Sequence, residues 1–175
     1  IGFPFISFIT YSMAAFGPSF YMRNYGITEA EVATILGLIT AFSGSIGVIG
    51  GGIIADKLRK KYTNGRLYVG LAIVVFGVPA ALAFLYADNL YASYVYYSIF
   101  QLITPMWVGI APATVSDLVL PRMRGLASAF YLLVVSMIGL ALGPYCIGKL
   151  SDVYQSTGYS SGEALRAALS MGLFA

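Results

Sequence analysis

The sequence predicts an all-α membrane protein, a bundle of helices embedded in lipid. Three observations predict it. Of its 175 residues 59% are hydrophobic and 10% charged, with a mean hydropathy of +0.83, too apolar for the water-facing surface of a globular domain. Charges divide the chain into uncharged runs of similar length. Lys and Arg collect at alternate joints between those runs.

The uncharged runs cover residues 1–22, 32–55, 67–87, 90–116 and 125–148. The second holds 24 residues, which as a helix rising about 1.5 Å per residue crosses a hydrocarbon core of roughly 30 Å. With their flanks the runs predict spans at about 1–23, 29–56, 66–87, 90–117 and 124–149. A sixth, at 163–175, continues only nine uncharged residues past Arg166 and is incomplete as a crossing. The whole of 1–175 is thus expected to be one helix bundle, read as part of something longer, because in lipid the alternative to helices is a closed barrel.

Counted joint by joint, Lys and Arg number one (Arg23), five (Lys57, Arg59, Lys60, Lys61, Arg66), none, two (Arg122, Arg124) and two (Lys149, Arg166). Alternate joints therefore carry seven against three. The positive-inside rule places the joints 57–66 and 118–124 in the cytoplasm, for a protein of the plasma or inner membrane. The net charge of +3 and pI near 9.0 arise from these span ends, where anionic headgroups account for them, so no nucleic-acid partner is expected. One cysteine, Cys146, and no histidine leave no disulfide and no thiolate or imidazole metal site, and no cofactor is expected.

Local signals place the boundaries. Thr28-Glu29-Ala30-Glu31 has the form of a capping box and should open the second helix. Gly17-Pro18, Pro79, Pro105, Pro112 and Gly143-Pro144 predict kinks, which shape packing or serve gating. Gly44, Gly47 and Gly51 share one helical face and predict close approach of a second backbone.

Gly52-Ile53-Ile54-Ala55-Asp56-Lys57-Leu58-Arg59-Lys60-Lys61 fits G-x-x-x-D-[RK]-x-x-[RK]-[RK] between two spans. It resembles the signature loop of the major facilitator superfamily, found between the second and third helices of each six-helix half. Arg59 stands where the family usually has glycine, a drift more typical of the C-terminal half. A carboxylate at a helix end can meet the N-terminus of a neighbouring helix and a nearby arginine, latching one conformation. The expected acceptor for Asp56 is the start of the fifth span, Arg124-Gly125. The plainer reading is that Asp56 and its basic followers only mark the membrane interface.

Further stretches are similar to the spinster-like members of that superfamily. Leu120-Pro121-Arg122-Met123-Arg124-Gly125 with Gly143-Pro144 and Gly148-Lys149 resembles their eleventh helix, Glu163-Ala164-Leu165-Arg166 the opening of the twelfth, and Pro18-Ser19-Phe20-Tyr21 with Gly26-Ile27-Thr28 the region of helices seven and eight. The resemblance implies the C-terminal half of a major facilitator fold, helices seven to twelve with the last truncated. Its first partner would then be the N-terminal half of the same transporter.

On the fourth span Ser93, Tyr97, Gln101 and Thr104 recur at four, four and three residues, a polar stripe on an apolar helix, with Trp107 continuing the same side. Polar groups at that depth prefer a bundle interior or a watery cavity. The resemblance makes this the cavity-lining tenth helix and the third span, apolar all round, the outer ninth. Tyr11 and Ser12 on the first span and Ser128 and Tyr131 on the fifth are further substrate-contact candidates, with interhelical hydrogen bonding as the alternative for each.

Aromatic residues make up 15% of the chain, some as interfacial belts. The rest suit an amphipathic substrate, and the spinster-like resemblance implies export of a lysolipid or sphingolipid. A carrier of a small organic anion, sugar acid or drug is the alternative, and a non-transporting structural bundle accounts for the spans but not for the polar stripe or the basic loop. No ionisable residue interrupts a complete span, so transport is either facilitated or coupled to a proton held in the other half. No Ser/His, paired-carboxylate or metal constellation appears, so an enzyme is not expected. The remaining expected partners are membrane lipid and the small amphipathic substrate.

Overall fold

The computed structural model describes residues 2–62 and 65–173, and among them every regular element is helical. Six helices follow one another: α1 Gly2–Tyr25, α2 Glu29–Lys61, α3 Gly65–Leu85, α4 Leu90–Asp117, α5 Pro121–Ser156 and α6 Ser161–Gly172. Helices α2 to α5 are each long and apolar enough to cross a membrane. That is one fewer than the five that the uncharged runs predict. The difference is α1, whose 24 residues have the length of a span but include Ser7, Thr10, Ser12, Pro18 and Ser19. Helix α1 is packed on α2, α4, α5 and α6, which buries Ser7 and Ser12 and half-buries Thr10, Pro18 and Ser19.

Joint chemistry sets the helix starts. The Thr28 hydroxyl accepts from the Glu31 amide at 3.4 Å and the Glu31 carboxylate accepts from the Thr28 amide at 3.4 Å, which satisfies two orphan donors. Ser160 and Glu163 repeat the arrangement at the start of α6. Asn89 caps α4 by accepting from the Tyr91 amide at 3.0 Å. Helix α2 continues through the basic run to Lys61, and α5 continues to Ser156, seven residues beyond the end predicted by Lys149. Polar residues there do not break the backbone ladder once the helix has left lipid.

Three helices depart from α geometry inside the membrane. A π segment at Thr40–Gly44 in α2 needs no proline and is not foreshadowed by one. It adds a residue between Leu36 and Gly44, both buried, and so keeps Gly44, Gly47, Gly51 and Ala55 on the face turned to α4. A Cβ on Gly47 would enter the Leu102 backbone, and one on Gly51 would stand 2.5 Å from Met106 Cβ, so the predicted close approach is present. In α4 the kink predicted at Pro105 is a 3-10 turn, Thr104–Met106. In α5 a π segment, Ser136–Leu142, precedes Gly143-Pro144, so the missing proline amide falls where the ladder is already interrupted. Pro18, Pro79 and Pro112 lie inside unbroken α-helix.

Two apolar clusters stack along the bundle. One, toward the joints 26–28 and 86–89, holds Phe20, Tyr21, Phe84, Tyr97, Phe100 and Leu165. The other, toward the basic joints, holds Ala55, Val69, Ile73, Trp107, Ile110 and Val135. Helix α3 buries the stripe Gly65, Val69, Ile73, Gly77, Ala81 and Phe84, with Ala80 and Leu85 beside it, and exposes Leu67, Leu71, Val75 and Phe76 on its other side, the pattern of a peripheral helix in lipid.

Candidate functional site

The polar stripe of α4 lies inside the bundle. Ser93, Tyr97, Gln101 and Thr104 are all under 10% exposed. Ser93 Oγ donates to the Phe84 carbonyl at 3.0 Å and lies 2.9 Å from the Tyr21 hydroxyl. Gln101 Nε2 donates to Thr40 Oγ1 at 2.9 Å, and Thr104 Oγ1 donates to the Phe100 carbonyl at 2.8 Å. These partners satisfy Ser93, Gln101 and Thr104 internally, which in lipid is the cheapest arrangement for a polar group. Thr40, the exposed residue at the start of the α2 π segment, is the partner that spacing on α4 cannot reveal.

Tyr11, Trp107 and Tyr131 form a second constellation, one turn nearer the basic joints. Trp107 is 4% exposed, with the Tyr11 ring edge-on at 6.5 Å, and Tyr11 and Tyr131 pack together on its cluster. The Trp107 Nε1 and Tyr131 hydroxyl are buried and have no hydrogen-bond partner among the described residues. A buried donor without a partner is costly, on the order of 1–3 kcal/mol, and is uncommon enough to mark a place where a ligand group could complete the structure. Helix α1 brings its own groups close here: a Cβ on Gly139 of the α5 π segment would stand 2.5 Å from Ser7 Oγ, and one on Gly143 2.7 Å from Ser12 Oγ. Ser12 is buried and donates to the Phe8 carbonyl at 2.7 Å. Ser128 stands apart from the aromatic trio, 3.4 Å from Ser116 Oγ between α4 and α5.

At the basic ends of the helices an ion cluster joins α2, α3 and α4. Asp117 Oδ2 accepts from Arg66 Nη1 at 2.6 Å and pairs with Arg59 Nη2 at 2.9 Å. Asp56 Oδ1 is 3.9 Å from Arg66 Nη2, with its side chain 72% exposed. The acceptor expected for Asp56 is therefore corrected: its cation is Arg66 of α3 and not Arg124 of α5. The end of α2 packs on α3 and α4, which carries Asp56 toward the start of α3. Gly52 and Gly125 are also not close-approach positions, because a Cβ on either meets nothing within 4 Å. Lys57 and Lys60 are exposed, and among the described residues they make no ion pair. Asp117 ends one uncharged run level with Arg66 at the start of another, the sequence signal that would have paired them.

No family model matches the chain. An MFS-type efflux pump of Mycolicibacterium smegmatis is 32% identical over 152 residues, 86% of this chain and 35% of that protein. Protein spinster homolog 1 of Xenopus laevis is 31% identical over 169 residues, 88% of this chain and 32% of that protein, and its Homo sapiens counterpart 26% identical over 170 residues. The chain spans about a third of the length of these curated relatives. Crystal structures of a bacterial homologue of the human lysosomal transporter spinster share its fold: the inward-facing occupied form has a TM-score of 0.76 at 22% identity over 98% of this chain and 42% of that one. The inward-facing unoccupied form has a TM-score of 0.78 at 23% identity.

Proposed function

The chain belongs to the major facilitator superfamily, in its spinster-like branch, and on that premise we propose that it is the C-terminal six-helix half of a transporter that moves an amphipathic, lysolipid- or sphingolipid-like substrate by alternating access. Its partner is an N-terminal half of the same transporter, and the joints 57–66 and 118–124 face the cytoplasm. The observation that carries the substrate class is the aromatic trio Tyr11, Trp107 and Tyr131, an apolar wall with two buried donors that lack a protein partner. Such a wall takes up hydrocarbon and offers its donors to one small polar group, the layout of a site for an amphiphile.

Gln101 and Thr104, with Tyr97 on the same buried stripe, support that wall from behind, because the hydrogen bonds of Gln101 and Thr104 are made within the bundle. Ser128, beside Ser116, lines the approach between α4 and α5. Asp56, Lys57, Arg59, Lys60 and Arg124, with Gly52 and Gly125, belong to the gating end, where Arg59, Arg66 and Asp117 hold three helix ends together in this conformation. Protons, if coupled, titrate in the other half, since no acid or base of this chain sits at mid-depth.

Similarity to an efflux pump supports a second reading, in which the amphiphile is drug-like. Flux into proteoliposomes holding the intact transporter separates the possibilities. A labelled lysophosphatidylcholine or sphingoid base should move saturably and be poorly displaced by a cationic drug. Flux of the drug or of a short organic anion with none of either lipid would overturn the lipid reading.

A further inference from the structure

We propose that the outer surface of the bundle carries a separate binding groove for an anionic phospholipid, with one acyl chain lodged between α2, α3 and α4 and the headgroup on Lys57 and Lys61. A cavity of about 270 Å³ opens there, with Val69 and Ile73 of α3's buried stripe at its base. Ile54 and Leu58 of α2, Tyr68, Ala72 and Phe76 of α3, and Met106 of α4 line it. Its walls are almost wholly apolar, and its size is just below the roughly 300–1,000 Å³ of sites that hold a whole small molecule. A length of hydrocarbon fits; a complete amphiphile does not.

Charge at the mouth selects among lipids. Ile54, Lys57, Leu58 and Lys61 fall at i, i+3, i+4 and i+7, one face of α2, so the helix that supplies apolar lining continues into two lysines just beyond it. Lys57 and Lys61 are exposed, and among the described residues neither pairs with a carboxylate, whereas Arg59 and Arg66 are held by Asp117. Lys61 Nζ lies 5.5 Å from the centre of the Tyr62 ring, which meets the Tyr68 ring edge-on at 5.9 Å. Tyr68 is itself part of the groove wall. Cation, aromatic step and apolar slot are thus continuous, the order in which phosphate, glycerol and acyl chain would meet them. The groove does not include Tyr11, Trp107 or Tyr131, so this site stands or falls independently of the substrate site.

The test is photo-crosslinking in nanodiscs of the intact transporter, with an acyl-chain diazirine on phosphatidylglycerol in one preparation and on phosphatidylcholine in the other. Labelled peptides are mapped by mass spectrometry. The proposal expects label on the Ile54–Leu58 and Tyr68–Phe76 segments, enriched roughly thirtyfold for phosphatidylglycerol, as two interfacial lysines imply. Lys57→Gln with Lys61→Gln should bring the two lipids level, and Ala72→Phe should remove label from both while transport persists. Equal labelling by the two lipids in the unaltered protein, or enrichment that survives both lysine substitutions, would overturn it. Absence of lipid label from both groove segments in the unaltered protein would overturn it as well.

Discussion

Arg66 Nη1 lies 2.6 Å from Asp117 Oδ2, tying the first turn of α3 to the last turn of α4, and Arg59 of α2 reaches the same oxygen at 2.9 Å. Arg66 is only 13% exposed in its side chain, against 72% for Asp56. Asp117 is therefore the anion that holds three helix ends, with Asp56 at the edge. Asp117→Asn should shift spin-label distances across the basic ends and cost about 1 kcal/mol of thermal stability, the range of partly exposed pairs. Asp56→Asn should shift them less. A larger shift from Asp56→Asn would return the latch to the signature loop.

The α2–α4 contact depends on the missing side chains of Gly47 and Gly51. Gly47→Ala and Gly51→Ala push a Cβ into backbone or Cβ atoms of Leu102 and Met106, and each should lower stability by about 1–3 kcal/mol. Gly50→Ala and Gly52→Ala, where a Cβ meets nothing within 4 Å, should be neutral or slightly stabilising. Thermal unfolding of the four variants in one detergent checks the contrast.

Gln101 joins α4 to the π segment of α2 through Thr40. Gln101→Leu should lower stability by about 1 kcal/mol, the worth of one hydrogen bond, and speed amide exchange in residues 40–44. Unchanged exchange there would mean that the π geometry is held by packing alone.

The Ser160 hydroxyl and amide hold the Glu163 carboxyl below its usual value of 4.5. A carboxyl depressed in the folded state adds stability that is complete above about the ordinary carboxylate value and is lost as pH falls through its lower folded value. Amide protection at the start of α6 should therefore be flat from neutral pH down to the carboxylate range and fall below it. Glu163→Gln should remove that step, and a step that persists would assign it to another acid.

Two helix ends are legible in the sequence because a charge inside lipid is costly: Arg66 stands in the first turn of α3 and Asp117 at the last residue of α4. The polar stripe of α4 is legible as buried for the same reason, but its partners are not. Thr40 meets Gln101 only because an extra residue in the π segment turns α2, and no proline announces that segment. The partner of Asp56 is likewise settled by which helix ends adjoin: Arg66 and Arg124 both carry a cation at a helix start, and only the packing of α2 on α3 chooses between them. Tyr11, Trp107 and Tyr131 are recognisable as aromatic candidates from sequence. That two of their donors lack partners is a property of three helices together.

The KM for lysolipid transport in proteoliposomes tests most directly the proposed contact between the aromatic trio and the substrate's polar group. Tyr131→Phe keeps the ring and Trp107→Phe keeps a smaller aromatic one, both removing the unpartnered donors, and each should raise KM roughly fivefold, the equivalent of about 1 kcal/mol, while Gln101→Leu leaves it within about twofold. An unchanged KM in both aromatic variants, with a rise in Gln101→Leu, would contradict the account and move the substrate to the α4 stripe.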